Sequence, residues 1–167
     1  MAIRKIVKRG NAALEKQCRP VDAFNKRLEI LLGDLADTMY DANGVGLAAP
    51  LVGILRRAVV IDVGDGLVEL VNPVIVESDG QQSGPEGCLS IPGRSGVVTR
   101  PNHVKVQAQD ADGNAIELEA EEFFARAVCH ELDHLDGVLY VDKMDREILE
   151  GDEEYEPVDG DEEEDGE

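Results

Sequence analysis

The sequence predicts an α+β fold, with antiparallel β-sheets packed around a central helix and an N-terminal amphipathic helix beside them. Two segments place apolar residues at helical spacing. Several others are short apolar or alternating runs divided by turn residues, and two of these face each other as a hairpin. The second helix is apolar along much of its length, as a helix covered by sheet must be. One domain, residues 1–146, accounts for these elements, and an acidic segment, 147–167, follows it. A chain of 167 residues with 43% apolar content is long enough for one hydrophobic core.

Residues 1–20 have no strong periodicity and end in a turn at Arg19-Pro20. Asn25 can cap a helix whose apolar positions are Leu28, Leu31, Leu32, Leu35 and Met39, one stripe at i, i+3, i+4, i+7 and i+11. Asn43-Gly44 stops it, with Gly44 expected in the left-handed position. Residues 44–53, G-V-G-L-A-A-P-L-V-G, are small and nearly free of charge. Their G-x-G follows a helix and lacks the third glycine, which excludes a dinucleotide fingerprint. A groove edge lined by backbone is the better reading.

Residues 58–63 and 67–76 read as strands around the turn Gly64-Asp65-Gly66, and Pro73 marks a break or an edge. Residues 77–87 read as loop, and 97–99 as a short strand. Residues 104–109 and 115–120 alternate around Asp110-Ala111-Asp112-Gly113-Asn114, a hairpin pattern. The last helix begins at Glu121. Phe124, Val128 and Leu132 recur every four residues, acids at Glu121 and Glu122 suit its N-terminus, and Gly137 ends it.

Charge divides the chain. The formal net charge is -20, but 147–167 holds 13 acids and no Lys or Arg, which leaves 23 acids against 16 bases elsewhere. So dense a block of like charge, with few large apolar residues, is expected to be a disordered solvating tail. Its sign disfavours direct contact with nucleic acid. No apolar run approaches a membrane span, and the N-terminus lacks the apolar segment of an export signal. Three cysteines, Cys18, Cys88 and Cys129, without such a signal point to a reducing cytoplasm rather than a disulfide framework.

The chemistry concentrates in H-E-L-D-H at 130–134. On a helix, His130 and His134 project from one face and can reach one metal ion. Glu131 beside them can handle the proton of a water. A catalytic site needs a third protein ligand and an open position. Cys88, in the tight turn of E-G-C-L-S at 86–90, is the best candidate. Cys18 is remote from any motif, and Cys129 points about 100° away from His130.

The three motifs in order, G-V-G-L-A-A-P, E-G-C-L-S and H-E-L-D-H, resemble peptide deformylase, which removes the formyl group from the N-terminal methionine of new bacterial polypeptides. The resemblance spans about residues 1–145. It implies that Cys88, His130 and His134 hold one divalent metal, natively Fe2+, which Zn2+, Ni2+ or Co2+ can replace. It assigns Glu131 as general base and acid and the Leu89 backbone N–H as an oxyanion donor. Gly44, Val45 and Gly46 would pair with the substrate backbone, and Val45 and the last helix would line a methionine pocket near Arg126. Glu86, Arg100 and Asp133 are candidates for orienting Cys88 and the histidines. The implied partners are N-formyl-methionyl nascent polypeptides, with ribosome proximity but no membrane or direct nucleic-acid contact. Some family members dock at the ribosome through a C-terminal extension, but the acidic tail does not match that contact.

One position departs from the pattern. The first motif continues in the family to a glutamine whose amide donates to the oxyanion, and here that residue is Leu51. Leucine is of similar length and has no donor. Either the chain turns over slowly, or it binds metal and formyl-methionyl peptides with impaired catalysis. Nothing in the sequence places Gln81 or Gln82 as a substitute. A zinc endopeptidase, the other common owner of H-E-x-x-H, takes a third His or Glu ligand downstream. The one further histidine, His103, lies upstream.

Overall fold

The computed structural model describes residues 2–149. The first helix, α1, is Lys26–Asp41. The Asn25 side chain accepts from the Leu28 N–H at 3.2 Å, which satisfies one of the first-turn donors. Leu28, Leu31, Leu32, Leu35 and Met39 are all buried, so the stripe read from spacing is the packed face. The stop differs in detail. Asn43, at φ 58, takes the left-handed position, while the N–H groups of Asn43 and Gly44 donate to the Tyr40 and Met39 carbonyls. Asparagine tolerates that conformation because its side chain is short and polar.

Eight strands follow among the described residues: β1 Gly46–Ala48, β2 Ala58–Ile61, β3 Val68–Asp79, β4 Gln82–Cys88, β5 Ile91–Arg100, β6 His103–Gln109, β7 Ala115–Glu121 and β8 Arg146–Glu147. The second helix, α2, is Glu122–Leu135. All strand pairings are antiparallel. One sheet runs β1-β2-β3-β6-β7 and the other β4-β5-β8. Helix α2 packs on β1, β2, β5, β6 and β7, and ten of its fourteen residues are buried, so it is the central helix.

The stretch 77–87, expected as loop, is mostly strand. β3 runs on to Asp79, opposite His103, and β4 pairs with β5. Its residues are polar, Gly-rich and largely exposed, so no alternation marks them, and the partners that make them strands come from later in the chain. β5 is longer than the expected 97–99 because its first half, polar and Gly-rich, is held as strand by pairing with β4. Pro73 sits at a register shift between Val71 and Val74, next to Asn72 at φ 52, so the ladder yields at the residue that cannot donate to it.

The division at residue 146 falls inside a strand. Glu147 pairs with Gly96, and the Ile148 N–H donates to the Ser95 carbonyl at 2.9 Å. Residues 150–167 of the acidic segment lie outside the described residues.

Candidate metal centre and substrate recess

The helical spacing of 130–134 places two imidazoles on the face of α2 turned toward the end of β4. The Cys88 Sγ, at that end, lies 3.6 Å from the His134 Nε2. Metal–sulfur and metal–nitrogen bonds of about 2.3 and 2.05 Å, at a tetrahedral angle, put S and N about 3.5 Å apart. The donor atoms of Cys88, His130 and His134 lie within 4.8 Å of one another, and they are the one such grouping found among the described residues. A thiolate with two imidazoles suits a divalent transition metal and leaves a fourth position open. Cys18 and Cys129 are buried elsewhere as free thiols.

Glu86 on β4 fixes which nitrogen His130 can offer. Its Oε1 accepts from the His130 Nδ1 at 2.9 Å, which leaves Nε2 as the free lone pair. Arg100 on β5 grips both Glu86 oxygens at 2.9 Å and reaches the Asp133 carboxylate at 2.7 Å. Burial opposes the Glu86 charge, but the hydrogen bonds from Arg100 and His130 outweigh it and hold the carboxyl at about 2. Burial also opposes charge on His130, yet its bonds to Cys88 and Glu86 raise it to about 10 in the absence of a cation. Burial lowers His134 well below its ordinary value. The Glu86, Arg100 and Asp133 side chains anticipated from sequence are thus joined in one network.

Glu131 is 5% exposed, and its Oε1 has no hydrogen-bond partner among the described residues. Burial pushes its carboxyl up to about 7. Gly46 on β1 makes room for it, since a Cβ there would lie 2.6 Å from the Glu131 Oε2. The glycine-rich stretch and the helix motif therefore meet through one close approach.

A recess of about 470 Å³ opens over these groups. Gly44, Val45, Gly46 and Leu51 line one side, Glu86, Cys88 and Leu89 another, and Phe123, Arg126 and Ala127 of α2 a third. β1 and β4 are both edge strands, so the recess lies between two open sheet edges. An extended peptide can pair its backbone with such edges while one side chain enters the space between them.

The model of the polypeptide deformylase family matches residues 3–148. The chain belongs to the polypeptide deformylase family. It is 56% identical to the peptide deformylase of Agathobacter rectalis over 145 residues, 87% of this chain and 92% of that protein. It is 57% identical to the peptide deformylase of Caldanaerobacter subterraneus subsp. tengcongensis over 155 residues, 90% and 98% of the two chains. The crystal structure of peptide deformylase from Thermotoga maritima superposes with a TM-score of 0.85 at 40% identity, covering 86% of this chain and 99% of that one. The α+β fold is therefore the deformylase fold, and the chain is a hydrolase of the kind that processes polypeptide N-termini. Deformylases are metal-dependent, and the donor atoms of Cys88, His130 and His134 are close enough together to hold one ion.

Leu51, 2% exposed, faces the recess from the short 3-10 turn Ala49–Val52. Leu89 follows β4 in a turn, where its N–H meets no backbone acceptor among the described residues. Gln82 gives its amide to the Pro101 and Glu122 carbonyls, so it is committed away from the centre. His103 sits between Asp79 and Glu119 on the larger sheet, apart from the metal grouping. Sequence reasoning placed Arg126 near the methionine pocket but missed its bond to Glu86 at 2.6 Å. Its i, i+4 spacing to His130 was the available signal, since it places both on one helix face.

Proposed function

We propose that the chain hydrolyses the N-formyl group of N-terminal formyl-methionine on newly made polypeptides, releasing formate. The observation that carries this reading is the grouping of Cys88, His130 and His134 at a recess between two open sheet edges that Cys88, His130 and Glu131 line. Cys88 Sγ, His134 Nε2 and the free Nε2 of His130 would hold one divalent ion. Fe2+ is the native candidate, with Zn2+, Ni2+ or Co2+ able to replace it. When bound, the ion supplies Lewis acidity that acidifies water and polarises the formyl oxygen.

The residues of the chain carry the rest. Glu131, raised by burial toward neutrality, accepts the proton of the attacking water and returns it to the leaving amine. The Leu89 N–H donates to the developing oxyanion. Gly44, Val45 and Gly46 align the substrate backbone along β1, and the methionine side chain enters the space beside Phe123 and Ala127. The expected setting is the cytoplasm, close to ribosomes that supply the substrate. In the structure itself, no helix among the described residues is long and apolar enough to cross a membrane.

Leu51 favours a second reading, in which metal and formyl-methionyl peptide bind but turnover is impaired. Formate release from a formyl-methionyl peptide, measured beside peptide affinity, separates the two. Release at an enzymatic rate favours the first reading. Binding without release favours the second, and cleavage of unformylated internal bonds overturns both.

A further inference from the structure

Glu86 accepts four hydrogen bonds, and α2 supplies two of them. Its Oε1 takes the Arg100 Nη2 and the His130 Nδ1, each at 2.9 Å. Its Oε2 takes the Arg100 Nε at 2.9 Å and the Arg126 Nη1 at 2.6 Å. A carboxylate has about four acceptor sites, so this one is saturated and has no freedom to rotate. Arg126 and His130 stand one helical turn apart and clasp the same carboxylate from the same side. The Arg126 Nη1 also bonds the Val98 carbonyl of β5 at 3.1 Å and lies 3.4 Å from the Gly84 carbonyl of β4. Gly84 accommodates it, since a Cβ there would lie 3.2 Å from the Arg126 Nη2. Arg126 is 6% exposed, and it also lines the substrate recess.

We propose that Arg126 is a positioning residue, which locks Glu86 between β4 and α2 so that His130 presents Nε2 to the metal. The proposal rests on the metal-site reading above and adds to it a third link, from the recess wall through Glu86 to a ligand. Arg100 holds both carboxylate oxygens, but only from the β5 side. Arg126 fixes the carboxylate from the helix side, where the imidazole stands. Without Arg126, the Glu86 Oε2 loses its shortest bond and the carboxylate can turn about the Arg100 fork, loosening its hold on the His130 Nδ1. The planar guanidinium matters as well as the charge, because it aims the two N–H groups of Nη1 at the Glu86 carboxylate and the Val98 carbonyl together.

The test is Co2+ loading of the full chain, followed by its visible absorption spectrum and its rate of metal loss to a chelator. Removing a residue that orients a ligand costs roughly 10–100-fold in metal affinity. Arg126→Met should keep the helical circular dichroism signal, shift the Co2+ bands and lose the ion at least about 10-fold faster. Arg126→Lys should fall between the two. In a Glu86→Gln background, Arg126→Met should add little, because both act along one path. A folded Arg126→Met chain with the parent spectrum and parent rate of loss overturns the proposal, and so does full additivity with Glu86→Gln. If Arg126→Met does not fold, Arg126→Lys decides by the same readouts, and an unchanged rate and spectrum count against the proposal. A parent chain that takes up no Co2+ would instead refute the metal site itself.

Discussion

Replacing Leu51 with glutamine supplies the amide donor that the family resemblance implies at this position. Leu51 is 2% exposed and faces the recess that Glu131 and Leu89 also line. Its backbone is pinned by the Val7 N–H, which donates to the Leu51 carbonyl at 2.8 Å, so the new side chain starts from a fixed position. One oxyanion donor contributes about 10²–10³ in kcat, or about 2.7–4 kcal/mol. Leu51→Gln should therefore raise kcat for formate release by about 100-fold or more, with KM changing less. Stability should move the other way. Burying an amide where an apolar chain packed costs about 1–3 kcal/mol when its hydrogen bonds are incomplete. At this size each kcal/mol corresponds to about 2–4 °C in Tm. The assay is formate release from a formyl-methionyl tripeptide, with both chains carrying the same metal at the same occupancy. A folded, fully loaded Leu51→Gln chain with parental kcat would refute the view that the missing amide limits turnover.

Other consequences follow from the same geometry. Cys88→Ser should lower metal affinity and shift preference away from soft ions, and unchanged iron retention under anaerobic metal analysis would remove Cys88 from the ligand set. Glu131→Gln should cut kcat by about 10²–10⁴ while metal content stays at the parental level. The Glu131 carboxyl stands near 7 without a cation, and a bound cation lowers it, so the acidic limb of kcat/KM should fall below pH 7; a limb above pH 7.5 would point to another base. Gly46→Ala should displace the Glu131 carboxylate that its Cβ would strike, costing about 10²-fold in kcat with metal retained; parental kcat would show that the close approach is dispensable. Glu86 is held at about 2 against an ordinary 4.5, so its stabilisation is full above pH 4.5 and disappears as pH falls toward 2. Glu86→Gln should lose on the order of 3 kcal/mol at pH 7 in denaturant titrations, and a gap that does not close with falling pH would refute that assignment.

Much of this was legible in the sequence because the relevant signals are local. The Leu28–Met39 stripe and the Asn25 cap define α1 from neighbouring residues, and the H-E-x-x-H spacing fixes which side chains share a face. The hairpin of β6 and β7 was readable from alternation around one polar turn. What stayed hidden depends on residues distant in the chain. β4 and the last three residues of β3, 77–79, are strands because β5 and β6 pair with them, while their own residues are polar or Gly-rich and show no alternation. The contact between Gly46 and Glu131 joins residues 85 positions apart, so no spacing rule could supply it. Glu86 was suspected as an orienting group, but its four donors come from β5 and from two turns of α2. Leu51 was the reverse case, because its significance came from a motif position that geometry alone would not have flagged.

The central claim is that Cys88, His130 and His134 hold a metal that Glu131 uses to release formate. The direct test purifies the chain anaerobically with Fe2+, measures iron per chain, and follows formate from a formyl-methionyl peptide on the same sample. The account predicts about one ion per chain and formate release that disappears when a chelator removes the iron. A fully loaded chain that releases no formate, both as it stands and with Leu51→Gln, would contradict it.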